Sequence, residues 1–228
     1  MAMRITVMGI IMTDASLIRL MAWLSPVFPT GSFAYSAGLE QAVAQGSVDA
    51  ADGLSRWLET LLRHGSPWND AVLFAAAWRG AASEEAIRPL SELCAALAGS
   101  AERHREILDQ GSSFTAAARH WFADAPLPAG LPLPVAVGCA CGRAGIALKA
   151  ALGAYLASFL SNQLQCAIRL SVTGQDGAAR LLAQFEPVIG DVAARAATST
   201  LDDLGSAAFR AEIAAMNHET LQPRLFLS

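Results

Sequence analysis

Cys139 and Cys141 are the pair in this chain whose type and spacing point most directly to chemistry. Two thiolates at that spacing can hold a soft or borderline metal such as zinc or nickel. A closed site needs about four ligands, and neither a histidine nor a second cysteine pair stands near Gly138-Cys-Ala-Cys-Gly142. We therefore read both as small apolar residues packed beside a Gly-rich helix start. The four histidines, His64, His104, His120 and His218, form no i,i+4 pair and no HExxH motif, so each reads as a surface or capping residue.

Ala34-Tyr-Ser-Ala-Gly38 is a loose variant of the GxSxG nucleophile elbow. An elbow needs a buried strand before its serine and a helix after it. Pro26, Pro29 and Gly31 describe a turn instead. Ser32 reads as the cap of a helix running to Gly46, which places Ser36 inside that helix. No GxxxxGK[ST] loop occurs, since Arg143 after Gly142 is followed by Ala144. These residues assign no catalytic centre, no metal and no cofactor, and they describe a protein that is not an enzyme.

The elements around them read as helices. Asp49 can cap a helix that puts Leu54, Trp57, Leu58, Leu61 and Leu62 on one face, with Arg63 and His64 at its C-terminal dipole and Gly65 and Pro67 ending it. From Ala101, the residues Ile107, Gly111, Phe114, Ala118 and Trp121 repeat at helical spacing, with Gly111 marking a close helix contact. Further helices are expected near 69–79, 84–97, 143–172, 175–185, 187–197 and 205–220. The Pro-rich run Asp124–Pro134 reads as a surface loop between two helical halves of one domain. The fold class is all-α: a compact single-domain bundle of about eight to ten helices.

Composition narrows the function classes. Sixteen basic against 20 acidic residues leave no basic stripe for phosphate backbones, so nucleic acid is not a partner. The mean hydropathy of +0.37 raises the question of a membrane span. Ala150–Ile168 is uncharged, but Ser158, Ser161, Asn162, Gln163 and Gln165 are costly in hydrocarbon, so it reads as a buried core helix. Met1–Met12 lacks a small-residue cleavage site and is no signal peptide. Four cysteines without a framework fit a reducing cytoplasm. A helical small-molecule enzyme and a membrane-embedded bundle stay open as alternatives.

Ser25-Pro-Val-Phe-Pro-Thr-Gly-Ser-Phe-Ala-Tyr-Ser-Ala-Gly-Leu-Glu40 resembles the N-terminal signature of the urease accessory protein UreF family. Glu102-Arg-His-Arg-Glu106, followed by Gly111 and Phe114, is similar to that family's charged helix start. His218-Glu-Thr-Leu-Gln-Pro-Arg-Leu-Phe-Leu-Ser228 resembles its closing segment, and Thr173-Gly-Gln175 fits more weakly. The resemblance covers about Ser16 to Ser228 in order. It implies a homodimeric helical scaffold that binds a UreD-like protein (also called UreH) and a UreG-like GTPase, and that supports GTP-dependent nickel insertion into apo-urease.

The resemblance also directs attention to partner-binding residues. Glu40 either meets a partner's basic residue or is a solvated helix charge. Tyr35 is either an interface aromatic or a core residue. Arg169, which interrupts an apolar face before Gln175, is a candidate contact. His218, Glu219, Arg224, Leu225, Phe226 and Ser228 belong to the closing segment. Phe209, Ile213, Met216 and Thr220 are expected to pack a last helix on the bundle. Pro223 then frees residues 221–228, either as a docking tail whose removal spares the fold or as a segment folded back onto its own core. A flexible extension over residues 1–15 and a helical domain over 16–220 complete the organisation.

Overall fold

The computed structural model describes residues 13–228, and the described chain forms ten α-helices and no strand. In order they are α1 (Asp14–Trp23), α2 (Leu39–Ala44), α3 (Ala51–His64), α4 (Ser66–Arg79), α5 (Glu84–Ala96), α6 (Ala101–Ala118), α7 (Leu133–Arg143), α8 (Leu148–Arg169), α9 (Gln175–Ala196) and α10 (Phe209–His218). The all-α reading holds. Most of the extension expected over residues 1–15 lies outside the described residues. Thr13 caps α1 by accepting the N–H of Ser16, so the folded domain begins before Ser16.

α4 and α7 form the centre. Ten residues of α4 are buried, from Pro67 to Ala77, and so is every residue of α7 from Pro134 to Cys141. Helices buried on nearly every side are core helices, and the two polar residues that α4 buries, Asn69 and Asp70, both find partners. The two lie close because glycines face the partner backbone. A Cβ at Gly138 would stand 2.5 Å from Phe74 O, and one at Gly142 would stand 2.4 Å from Trp78 O. At Gly111 of α6 a Cβ would meet Leu131 O at 2.0 Å, so the close contact expected there is with the chain entering α7 rather than with a helix. α3 shows the expected amphipathic division, with Leu54, Leu58, Leu61 and Leu62 buried, and Gly65 both ends it and starts α4. The residue at its N-cap position is Ala50, one beyond Asp49.

Several boundaries differ from the sequence expectation. The helix from Ser32 to Gly46 is broken into a single 3₁₀ turn, Ser32–Ala34, and α2. Gly31, Ala37 and Gly38 have positive φ there, which an α-helix does not accommodate, so Ser36 lies in a loop and not in a helix. α7 occupies a stretch read as a loop and its continuation: Pro134 sits in the first turn, where its missing N–H costs nothing. The helix expected over 143–172 begins only at Leu148, after a turn at Gly145 with φ +65°. Conversely, 175–185 and 187–197 are one continuous helix, α9, with Pro187 on its exposed side, where water can reach the carbonyl that loses its donor.

α10 is turned the other way from the expectation. Phe209, Ile213 and Met216 are exposed at 66%, 52% and 47%, whereas Ala211, Ala214 and His218 are buried. The reason is close approach. Gly38, at φ +79°, comes so near α10 that a Cβ on it would be 2.8 Å from Ala215 N. Beside Gly38 only small side chains fit, His218 being buried at the far end of the helix, and the large apolar ones are left facing solvent.

Candidate functional site

The N-terminal signature and the closing segment meet. Glu40 stands in the first turn of α2 and Glu102 in the first turn of α6, both of them buried. Between them lies His218, the last residue of α10, at 0% exposure. Its Nδ1 is 2.7 Å from Glu102 Oε2 and its Nε2 is 3.0 Å from Glu40 Oε2. His218 is therefore not the surface or capping residue expected of it. It is the centre of a buried hydrogen-bonded cluster, a role that needs a fixed tertiary partner and has no local spacing to betray it.

The chain then runs on from α10 and is captured by the same two carboxylates. Arg224 donates to Glu102 Oε1 at 2.5 Å. The backbone N–H groups of Leu225 and Phe226 donate to Glu40 Oε1 and Oε2 at 2.7 and 3.0 Å. Beyond them the backbone pairs with the loop before α2: Leu227 N–H donates to Ala34 O at 2.7 Å, and Ser36 N–H donates to Ser228 O at 2.6 Å. The Ser36 hydroxyl donates to the same Ser228 oxygen and accepts the N–H of Glu40. Glu40 is thus not a solvated charge but a buried one, paired within its own chain.

Residues 221–228 fold back on their own domain. Phe226 is 2% exposed, and Arg169, whose guanidinium carbon lies 4.2 Å from the Phe226 ring centre, covers it while donating to Phe33 O. Ser228 is also buried, whereas Leu225 and Leu227 are exposed at 61% and 51%. That alternation is the period of an extended strand, with one side sealed inward and the other outward. Of the two expected arrangements the structure has the folded-back one, with Phe226 buried and the Leu225 and Phe226 N–H groups paired to Glu40.

The remaining predicted residues divide. Tyr35 is buried, and its carbonyl accepts from Asn162 and from the Cys166 thiol, which ties the signature to α8. Burial, with the Asp109 and Glu106 carboxylates nearby, pushes the Tyr35 hydroxyl above its ordinary value. Glu219 accepts the N–H of Ala101 at the start of α6. Gln175 is exposed at the start of α9 and does not join the cluster. Ser36 and Glu102 were missed as site residues. Both lay within quoted motifs, but a buried charge has the same local sequence as an exposed one.

One turn along α6 a second ionic group continues inward. Arg103 bridges Asp70 at 2.5 Å and Glu106 at 3.1 Å, and Tyr155 donates to Asp70 at 3.2 Å. Burial raises the Glu106 carboxyl, opposed by Arg103. Arg103 and Glu106 border a cavity of about 390 Å³ that also receives Trp23 and Gln163. Cys139 and Cys141 are fully buried on α7, two residues apart and hence on different helix faces, so they do not converge on one metal ion. Burial raises both thiols, Cys141 to about 12. Among the described residues no group of three or more His, Cys, Asp or Glu side chains is arranged to hold a metal ion, and no helix is long and apolar enough to cross a membrane.

Comparison with known proteins identifies the family. The UreF family profile matches residues 48–186. The chain is 55% identical over 215 residues to the urease accessory protein UreF of Brucella ovis, spanning 93% of this chain and 94% of that protein. It is 53% identical over 218 residues to UreF of Mesorhizobium japonicum, spanning 95% and 98%, and 51% identical over 220 residues to UreF of Agrobacterium fabrum, spanning 94% and 97%. Identity at that level across nearly the whole length leaves no separate domain unmatched, and the chain belongs to the UreF family of urease accessory proteins.

Proposed function

We propose that the chain supports urease maturation as a non-catalytic cytoplasmic scaffold. It joins a UreD-like protein to a UreG-like GTPase and couples GTP hydrolysis by that partner to nickel insertion into apo-urease. The chain itself has no GxxxxGK[ST] loop, so the nucleotide chemistry falls to the partner. A homodimer is the working unit. Nickel is cargo in this reading and needs no resident site.

The observation that carries the reading is the outward side of a tail whose inward side is sealed. Leu225 and Leu227 are held exposed by a backbone that the fold fixes from below, and α10 adds the exposed stripe Phe209, Ile213 and Met216. Apolar residues held rigidly at the surface lose little conformational entropy on docking. The reading is tested by co-purification with the UreD-like and UreG-like proteins and by urease activation. Leu225→Asp/Leu227→Asp, which changes two exposed side chains and leaves their backbone N–H groups in place, should retain the wild-type melting temperature and lose the UreD-like partner. Normal binding by that variant would place the partner surface elsewhere, and GTP turnover by the isolated chain would overturn the scaffold reading.

A further inference from the structure

We infer that His218 is held as an imidazolium, and that this charged ring is the lock that fixes the C-terminal tail in its outward-presenting form. The inference deepens the proposed function, because it assigns what keeps the partner-facing residues in place. Each ring nitrogen faces a carboxylate oxygen, at 2.7 Å and 3.0 Å. Carboxylates only accept hydrogen bonds, and a neutral imidazole has one N–H to give. A neutral ring would leave a nitrogen lone pair against a carboxylate oxygen in a site with no exposure to water. Two ring N–H groups satisfy both contacts.

Charge balance agrees. The cluster holds Glu40 from α2, Glu102 from α6, His218 from α10 and Arg224 from the tail. With an imidazolium these are two anions and two cations, and with a neutral ring one negative charge is left buried. Other charged groups in the neighbourhood are already engaged: Arg103 and Glu106 of α6 with Asp70 of α4, Glu219 with the N-terminus of α6, and Arg169 of α8 with Phe226. Glu40 and Glu102 hold the tail through Arg224, Leu225 and Phe226, so the ring that aligns both carboxylates is placed to control the tail. The competing arrangement puts the proton on Glu40 or Glu102 and leaves the ring neutral.

Nitrogen-15 spectra of the histidine rings in the intact wild-type chain at about pH 7.5, roughly a unit above the ordinary histidine value, separate the two arrangements. The exposed His64, His104 and His120 supply internal references. His218 should show two protonated ring nitrogens, and a single protonated nitrogen would overturn the inference. His218→Gln, which offers one amide donor group in place of two opposed N–H groups, should speed hydrogen exchange at the Leu225 and Phe226 amides by at least about tenfold while leaving α4 protected. Unchanged protection at 225 and 226 would sink the lock even if the imidazolium were present. Should that variant fail to fold, Glu102→Gln is read in the same way. Neither measurement involves a partner, so failure of the lock is distinguishable from failure of the scaffold reading.

Discussion

Glu40 Oε2 accepts the backbone N–H of Phe226 at 3.0 Å, across 186 residues of sequence. This contact closes the chain on itself: the helix that starts at the end of the signature holds the extended closing segment. Its surroundings make it costly to lose. The carboxylate is buried and also serves His218.

Truncation after Thr220 should therefore lower stability. Exposing the site of Phe226 forfeits about 1.5–3 kcal/mol of burial. A chain of this length loses roughly 2–4 °C per kcal/mol, so calorimetry should show a melting temperature lower by at least ~3 °C. An unchanged melting temperature would mean that the tail contributes nothing to the fold.

Glu40→Ala should be among the most damaging single substitutions. It removes the acceptor of two backbone N–H groups and of one His218 ring nitrogen, and each buried group left without its partner costs about 1–3 kcal/mol. Glu40→Gln keeps one acceptor oxygen and should fall between alanine and wild type. Urea titrations read the order directly, and equal midpoints for all three proteins would refute it.

Glycine substitutions should separate by space. At Gly111 a Cβ would sit 2.0 Å from Leu131 O, a backbone atom that cannot rotate away, so Gly111→Ala should cost more than the typical 1–3 kcal/mol of overpacking. Gly153, inside α8, has nothing within 4 Å of its Cβ position, and Gly153→Ala should be neutral or stabilising by up to about 1 kcal/mol. Thermal melts of the two variants should move in opposite directions or by very different amounts.

Alkaline pH should destabilise the protein through its thiols. Burial pushes Cys141 and Cys166 up to about 12, whereas an unfolded thiol ionises near about 8.5. The folded state keeps these protons while the unfolded state releases them, so the stabilisation is complete below the unfolded value and declines as pH rises towards 12. By about pH 10 each thiol should account for on the order of 1–2 kcal/mol. Unfolding midpoints should fall between pH ~8 and ~10, and less steeply in Cys141→Ala. A flat profile, or alkylation of native Cys141 at neutral pH, would contradict the assignment.

The helical class was legible because apolar periodicity and terminal punctuation are local. Leu54, Leu58, Leu61 and Leu62 lie inward as their spacing required, and Gly65 marks the end of α3 as expected. The family was legible too, since Ser25–Glu40 and His218–Ser228 are contiguous motifs. Where local rules compete, the local reading lost. Pro134 marks the first turn of a core helix and not a loop, and Pro187 sits inside α9, because packing and solvent access decide what a proline costs.

The amino-acid sequence by itself determined that the chain is helical, which segments carry the signature, and that no nucleotide loop is present. Only the tertiary structure decided which residues of those segments meet. Glu40, Glu102, His218 and Arg224 come from four separate elements, and nothing within any one of them says that its charge will be buried against the others. It also decided which face of α10 turns inward. The apolar pattern of Phe209, Ile213 and Met216 favoured the opposite face, but Gly38 brings the backbones so close that only Ala211, Ala214 and the paired His218 fit beneath. Hydrophobic spacing reports which residues gain by burial, whereas close packing and charge pairing between distant segments determine which of them are given room.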